Sequence, residues 1–165
     1  MPTGLDAQFR EGMARLGSGV CVITSDGPAG RLGFTATAVC SVTDTPPTLL
    51  VCMNRRSQQS EPFRRNGVLA VNVLAGHHRQ LSQLFSGATQ DMSARFAHAE
   101  WLPSVTGAPL LSSAVAAFDC TIENLLDIGT HSVMLGRVIQ VVAAESDTAL
   151  VYYRRSYHEV GNAHT

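Results

Sequence analysis

The alternation of apolar and polar residues within positions 31–54 constrains the fold of this chain more than any other feature. Successive side chains of a β-strand point to opposite faces, so residues two apart share a face. One face carries Leu32, Phe34, Ala36, Ala38, Cys40 and Val42. The other face carries Thr35, Thr37 and Ser41. The pattern predicts a strand with an apolar core face and a row of small hydroxyl groups opposite it.

The row of hydroxyl groups has two interpretations. Threonine favours half-exposed strands, which explains the row without any ligand. Small hydroxyl side chains also let a flat ligand approach the backbone closely and offer it hydrogen bonds in several directions. The alternation by itself leaves both interpretations open.

Strand-like segments dominate the rest of the chain. Apolar, β-branched runs between turn residues predict strands at 19–25, 48–53, 68–74, 99–102, 115–127, 132–142 and 149–153. Helical spacing of apolar residues predicts short helices at 6–16, 57–65 and 76–85. Within the longest strand, alternation assigns to one face Ala116, Phe118, Cys120, Ile122 and Leu126. Strands and helices do not alternate as βαβ units, so we expect a mostly antiparallel sheet closed into a barrel, with a few short helices.

The size and charge of the chain restrict its class. Its 165 residues predict one domain, with a core over about residues 9–158 and frayed ends. A net charge of -1 gives no electrostatic reason to expect nucleic acid or an anionic membrane as a partner. There is no leader-like N-terminus and no apolar run of about 18 residues. We therefore expect a soluble, cytoplasmic protein.

Four cysteines, all in apolar runs, argue against metal or disulfide chemistry. Cys21, Cys40, Cys52 and Cys120 are widely spaced, and no Cys-x-x-Cys pair occurs. We interpret them as buried small hydrophobic residues in a reducing compartment. The histidines form neither a His-x-x-x-His nor a His-Glu-x-x-His pair, so we expect no metal centre.

Two polar segments interrupt the apolar pattern. The run Asn54-Arg55-Arg56-Ser57 leaves a strand and enters a helix, which suits an anion site or an ordinary capped helix with solvated arginines. Asn72 lies among leucine and valine residues, where its amide must find partners. Those partners are either the edge of a ligand or backbone groups of a neighbouring segment.

His131 and His158 follow turns, where a histidine is either solvated or functional. A set of hydroxyls, a buried amide, arginines and histidines, without a nucleophile or a metal site, suits a cofactor that supplies its own chemistry.

Six motifs, in order along the chain, resemble those of the flavin reductase-like family, the small reductase components of two-component flavin monooxygenases. They are Gly33-Phe34-Thr35-Ala36-Thr37-Ala38-Val39-Cys40-Ser41-Val42, Pro46-Pro47, Cys52-Met53-Asn54-Arg55, Val71-Asn72-Val73-Leu74, Gly129-Thr130-His131 and Arg155-Ser156-Tyr157-His158. Within the family, the chain is most similar to the pyrimidine-utilisation reductases and the 4-hydroxyphenylacetate 3-monooxygenase reductase components. A corrinoid reductase branch is also similar.

The resemblance implies a split β-barrel, an antiparallel Greek-key barrel that forms a homodimer with flavin at the interface. It further implies an NAD(P)H:flavin oxidoreductase that passes a hydride from NADH or NADPH to FMN or FAD. Reduced flavin would then diffuse to a separate flavin-dependent monooxygenase. The alternative is a flavin-binding carrier on the same barrel that catalyses nothing.

The resemblance also assigns roles to residues. The strand with Thr35, Ala36, Thr37 and Ser41 would line the flavin, and the ring would meet Asn72 and Leu74. The ribityl phosphate end would be held by Asn54, Ser57 and either Arg55 or Arg56. The resemblance places four residues near the ring and the nicotinamide: His131, His158, Arg155 and Tyr157. Many relatives have aspartate where this chain has Thr130, so the orientation of His131 is open.

Overall fold

The computed structural model of the protein describes residues 4–145 and 148–161. Its helices are α1 (Leu5–Met13), α2 (Ser60–Asn66), α3 (Arg79–Gln83) and α4 (Met92–Phe96), with a 3-10 turn at Gly76–His78 before α3 and a π-helical turn at Leu84–Ala88 after it. The strands among these residues are β1 (Ser18–Gly19), β2 (Cys21–Ser25), β3 (Leu32–Ala36), β4 (Val39–Asp44), β5 (Pro47–Asn54), β6 (Val68–Val73), β7 (Trp101–Leu102), β8 (Leu110–Leu111), β9 (Ala116–Ile128), β10 (His131–Ala143), β11 (Thr148–Tyr153) and β12 (Ser156–Gly161).

A large antiparallel sheet organises the chain. It has seven strands in the order β3-β2-β6-β9-β10-β5-β4. A three-stranded sheet, β1-β11-β12, and a two-stranded pair, β7-β8, lie beside it. The prediction of a mostly β protein with short helices and an antiparallel sheet is confirmed. Sequence reasoning missed α4, β8 and β12, and apart from Gly161, which ends β12, the predicted frayed C-terminus lies outside the described residues.

The segment predicted as one continuous strand is two strands on opposite edges of the large sheet. β3 pairs with β2, β4 pairs with β5, and Thr37 and Ala38 alone connect them. The connection inverts the alternation: Phe34 and Ala36 pack in the core, whereas Cys40 and Val42, predicted for the core face, are exposed. The pattern was wrong beyond position 38 because period-2 alternation holds only along an unbroken strand.

A bulge in β9 causes a second departure from the predicted pattern. Leu135 pairs with Asn124 and Gly136 pairs with Ile122, so the residue between these two β9 positions is unpaired. A bulge of this kind shifts the alternation by one residue. Leu125 therefore packs against the core, and Leu126, predicted for the core face, is 48% exposed.

Two apolar clusters stabilise the fold on the two sides of the large sheet. One contains Ile23, Val51, Phe63, Leu69 and Met134, and the other contains Val22, Leu74, Phe85 and Leu110 beneath the short helices. Cys21 and Cys120 are buried as predicted, but Cys40 is exposed and Cys52 is partly exposed, so the prediction of four buried cysteines is wrong. Among the described residues, no helix is both long enough and apolar enough to cross a membrane.

Candidate functional site

The connection between β3 and β4 forms the floor of two adjoining cavities of about 340 and 320 Å³. Both cavities are lined by Thr37 and Tyr152. The larger is bordered by the end of α1 and by Ala38, Cys40, Leu50 and Cys52, and the smaller by Thr35, Ala36, Ser82, Ser86 and Tyr157. We call the two cavities together the crossover groove. Three of the predicted flavin residues, Thr35, Ala36 and Thr37, therefore share one site with Tyr157.

The floor of the crossover groove offers backbone groups to a ligand. The carbonyl groups of Thr37 and Ala38 accept hydrogen bonds from the N–H groups of Val39 and Cys52, each at 3.0 Å. Within the described parts of the chain, the N–H groups of Thr37 and Ala38 themselves have no acceptor. Both residues are exposed and small, so a planar molecule with acceptors on its edge can approach these two donors closely.

A hydroxyl network forms the wall of the smaller cavity. Thr35 Oγ1 donates to the carbonyl of Ser82 at 2.6 Å, and Ser86 Oγ donates to the same carbonyl at 2.7 Å. Ser82 Oγ lies 2.8 Å from the Tyr157 hydroxyl. The network fixes β3, α3 and β12 relative to one another. The row of hydroxyls in the sequence therefore has a structural task in addition to lining the groove.

The turn at 54–57 meets the tip of the β9–β10 hairpin at one end of the large sheet. His131 lies directly opposite Asn54 in the pairing of β10 with β5. Asn54 Oδ1 accepts a hydrogen bond from the Arg56 N–H at 2.9 Å, and Ser57 Oγ accepts one from the Gln59 N–H at 3.2 Å. These side-chain bonds shape the turn itself, and α2 begins at Ser60, three residues after the start of the predicted helix at 57–65.

The two arginines of this turn differ in their partners. Arg55 donates to the Gly129 carbonyl at 3.0 Å and lies 3.7 Å from Asp127. Arg56 is exposed, and among residues 4–145 and 148–161 its guanidinium has neither an ion-pair partner nor a hydrogen-bond acceptor. Arg56 is thus the arginine of this turn that is available to an anionic ligand.

Asp127 fixes the base of the hairpin tip. Its carboxylate accepts hydrogen bonds from the Ser132 hydroxyl and from Arg64. The Ser132 hydrogen bond, followed by the hydrogen bond from Arg64 and the charges of Arg55 and Arg64, holds the pKa of this carboxyl below its ordinary value. At the tip, His131 Nδ1 lies 2.8 Å from Thr130 Oγ1, so a hydroxyl orients the ring in place of the carboxylate expected from the relatives.

The β11–β12 hairpin carries the other predicted residues. Arg154 and Arg155 form its two-residue loop, and both have positive φ (48° and 58°), a region that favours glycine. The loop is bound to the N-terminal helix: Arg155 donates to Glu11 at 2.9 Å, which lowers the pKa of that carboxyl. His158 is exposed on β12, with Nε2 3.3 Å from the Tyr153 carbonyl.

Of the six residues predicted to line the flavin or meet its ring, three lie outside the crossover groove. Ser41 is on the opposite face of the sheet, where it lines an apolar cavity of about 250 Å³, because the alternation inverts at Thr37 and Ala38. Leu74 is fully buried in the core. Asn72 is also 0% exposed, and its amide bonds to Val22, Thr24 and Leu111. The backbone interpretation of Asn72 is the one that its contacts support.

Sequence reasoning missed several residues of the crossover groove. Ser82 and Ser86 are four residues apart, a helical spacing that places two hydroxyls on one face, and this signal was available in the sequence. Tyr152 lines both cavities, and its ring centroid lies 5.2 Å from that of Tyr157. No local pattern reveals Tyr152, because its position depends on the packing of the small sheet against β3.

The fold agrees with comparisons to known proteins. A family profile described as a flavin reductase like domain matches residues 13–161. The chain therefore belongs to the flavin reductase-like family, as the six sequence motifs predicted.

Individual relatives are similar over nearly the whole chain. The FMN reductase (NADH) RutF of Yersinia enterocolitica is 52% identical over 150 residues, which cover 91% of this chain and 82% of the relative. A Haemophilus somnus protein assigned as a flavin reductase is 40% identical, with a TM-score of 0.90 over 96% of this chain and 100% of the other. BorF, the flavin reductase component of a bacterial two-component tryptophan halogenase, is 27% identical, with a TM-score of 0.87 over 96% and 99%.

Proposed function

We propose that the protein is an NAD(P)H:flavin oxidoreductase that reduces FMN with NADH and releases reduced flavin. The crossover groove is the observation that carries this proposal, because it combines a floor of small residues with two adjacent N–H donors that have no acceptor in residues 4–145 and 148–161. Relatives that are about half identical in sequence are named FMN reductase (NADH), which supports FMN over FAD and NADH over NADPH.

The chemistry of the groove fits a flavin. An isoalloxazine ring is flat and carries hydrogen-bond acceptors along one edge, which suits the N–H groups of Thr37 and Ala38. The ring would lie against Tyr152 and the small side chains of the floor. The ribityl phosphate would extend to Arg56, with Asn54 and Ser57 shaping the turn around it.

When bound, the flavin supplies the ring that accepts the hydride of the reduced nicotinamide. The residues of this chain contribute mainly position, because holding donor and acceptor in contact removes most of the entropic cost of the transfer. Thr37 and Ala38 fix the ring edge, and Arg56 fixes the phosphate. His131, held by Thr130 at the same end of the sheet as Asn54, offsets negative charge that develops near the ring. We propose that the nicotinamide nucleotide binds near His131, Arg155 and His158, the residues that the family resemblance assigns to it.

We infer that the large sheet closes into a split barrel and that two chains form a homodimer. The two edges of the sheet are joined by just Thr37 and Ala38, which requires strong curling. On α1 no residue is buried, and its apolar side chains point outward: Leu5 is 78% exposed and Phe9 is 65% exposed. A second copy that covers this face would remove it from water and extend the wall of the groove beside Met13.

We further propose that the reduced flavin leaves for a separate monooxygenase. Support comes from BorF, which is a component of a two-component system. A groove open to solvent on one side allows release of the product. The cytoplasmic location remains a prediction from the sequence.

The test of the proposal is anaerobic mixing of the protein and FMN with NADH or NADPH, followed by the absorbance of oxidised flavin. We expect rapid bleaching with NADH. A protein that binds FMN but does not catalyse bleaching with either nucleotide would be a carrier, and the reductase proposal would be wrong.

Arg56→Ala tests how the flavin is held. The loss of one charge-assisted bond to phosphate should weaken FMN binding about 10-fold, equivalent to about 1.4 kcal/mol. Riboflavin, which lacks the phosphate, should bind the variant as it binds the wild type. Arg65→Ala, a change of an exposed arginine on α2, is the matched control. An equal loss for riboflavin and FMN would refute the phosphate role of Arg56.

A further inference from the structure

Two of the four cysteines share one wall of the crossover groove. In the pairing of β4 with β5, Val39 lies opposite Val51, and Cys40 lies opposite Leu50. Cys52 is two residues beyond Leu50, so it is the diagonal neighbour of Cys40 on the same face of the sheet. Both cysteines line the larger cavity. Among the described residues, a hydrogen bond from a thiol is made by Cys120 and by neither of these two cysteines.

The environments of the cysteines separate them into two pairs. Cys40 is exposed and Cys52 is partly exposed, whereas Cys21 and Cys120 are buried. Burial raises the pKa of both Cys21 and Cys120 to about 12, so these two thiols stay protonated and unreactive. Burial, followed by the proximity of Cys40, raises the pKa of Cys52. The two groove thiols are thus close enough to affect each other, and Cys40 is the more accessible of the two.

The geometry of the pair suits cross-linking after a small movement. Diagonal neighbours in an antiparallel pair have Cα atoms about 7–8 Å apart, whereas disulfides usually join Cα atoms about 4.4–6.8 Å apart. β4 is an edge strand that pairs on one side alone, and its register with β5 is irregular between Ser41 and Thr43. The strand that must move by about 1 Å is therefore among the least restrained of the sheet.

We propose that Cys40 and Cys52 form an oxidation-sensitive dithiol that hydrogen peroxide converts to an intramolecular disulfide. Peroxide is available at this place, because reduced flavin that meets oxygen before it reaches a partner yields hydrogen peroxide. The Cys40 thiolate attacks one peroxide oxygen, the O–O bond breaks, and a sulfenic acid and water form after proton transfer. Cys52 then loses its proton, and its thiolate attacks the Cys40 sulfur. The S–O bond breaks, and the departing hydroxide takes up that proton and leaves as a second water. Two thiols are oxidised and one peroxide is reduced to two waters.

The disulfide would change the crossover groove. The Cys52 N–H donates to the Ala38 carbonyl, and Ala38 lines the larger cavity, so a shift of β4 toward β5 moves a residue of the groove floor. We expect the oxidised protein to bind FMN about 10-fold more weakly, a change of about 1.4 kcal/mol. This second effect and the source of the peroxide rest on the proposed function, whereas formation of the disulfide by added peroxide does not.

The experiment exposes the flavin-free full-length protein to hydrogen peroxide, blocks the remaining thiols with N-ethylmaleimide, and measures intact mass and peptide maps. We expect a loss of about 2 Da per chain before labelling, reversed by dithiothreitol, with Cys40 and Cys52 in one cross-linked peptide. Cys21 and Cys120 should react with maleimide only after unfolding, which makes them internal controls. Cys40→Ser and Cys52→Ser should each abolish the cross-link. Because Cys40 is exposed, Cys40→Ser should fold normally and remain a valid test even if Cys52→Ser is unstable.

Three outcomes would overturn the proposal: oxidation of Cys40 to sulfinic acid without a cross-link, a disulfide between two chains, or equal reactivity of all four thiols. Unchanged FMN binding by the cross-linked protein would refute only the proposed effect of the disulfide on the groove. A protein that cross-links but lacks reductase activity would refute the proposed function and leave the dithiol in place.

Discussion

Replacement of Asn72 by alanine separates a structural role of this residue from a flavin contact. The side chain is fully buried in β6 and bonds to three partners: the Val22 carbonyl at 3.0 Å, Thr24 Oγ1 at 3.1 Å and the Leu111 N–H at 2.8 Å. The Leu111 bond attaches the short β8 strand to the large sheet. If these contacts are the task of Asn72, its removal should lower stability and leave the affinity of the folded protein for flavin unchanged.

The expected loss of stability follows from the groups left without partners. A buried N–H without an acceptor costs about 1–3 kcal/mol, and this applies to Leu111. Thr24 retains a partner because its hydroxyl also donates to the Pro109 carbonyl at 2.6 Å. The space left by the amide adds about 1 kcal/mol. We therefore expect Asn72→Ala to lose about 3 kcal/mol, which for a chain of this size lowers the Tm by about 6–12 °C.

The assay is urea unfolding together with FMN titration by fluorescence quenching well below the Tm of the variant. Asn124→Ala is the matched control, since this asparagine lies on β9, is exposed, and bonds locally to the Leu125 N–H. It should change the free energy of unfolding by less than about 0.5 kcal/mol. A 10-fold loss of FMN affinity in Asn72→Ala without a comparable loss of stability would refute the reasoning and restore Asn72 to the ligand site.

Two further changes test packing and charge. Gly33→Ala places a Cβ 2.5 Å from Phe85 Cε1, so repacking of this buried ring should lower the free energy of unfolding in urea by about 1–3 kcal/mol. The control is Gly19→Ala, whose Cβ meets no atom within 4 Å and should change the stability little. Equal stability of the two variants would show that the ring moves freely. Asp127 has a lowered pKa in the folded protein, so it stabilises the fold above its unfolded pKa of about 3.9 and loses this effect as the pH falls through the folded value. Asp127→Asn should therefore be less stable than the wild type at pH 7 and approach it in acid, and a difference that stays constant down to about pH 2 would contradict this.

Much of the fold is readable from local sequence patterns. Runs of β-branched residues predicted most strands, and the turn residues around Gly129 predicted the β9–β10 hairpin. The glycine after α2 marks the end of that helix in sequence and structure alike, with Gly67 at a φ of 68°. Such features depend on a few neighbouring residues, which is why a single sequence contains them.

The errors arose where a distant strand decides the outcome. Ser41 and Cys40 exchanged their expected faces because β4 pairs with β5 and not with β2. Leu126 became exposed because of a bulge visible only in the pairing with β10. Tyr152 joined the site through the packing of a second sheet. Hydrophobic alternation gives the faces of one strand, but it does not say which strands are neighbours.

The length of the connection formed by Thr37 and Ala38 decides which residues of β4 face the crossover groove. Side-chain changes at these two positions leave the faces of β4 as they are. Insertion or deletion of one residue would shift the whole strand by one position, so that its two faces would exchange. We expect the evolutionary record of this segment to contain substitutions among small residues and a fixed number of residues between β3 and β4.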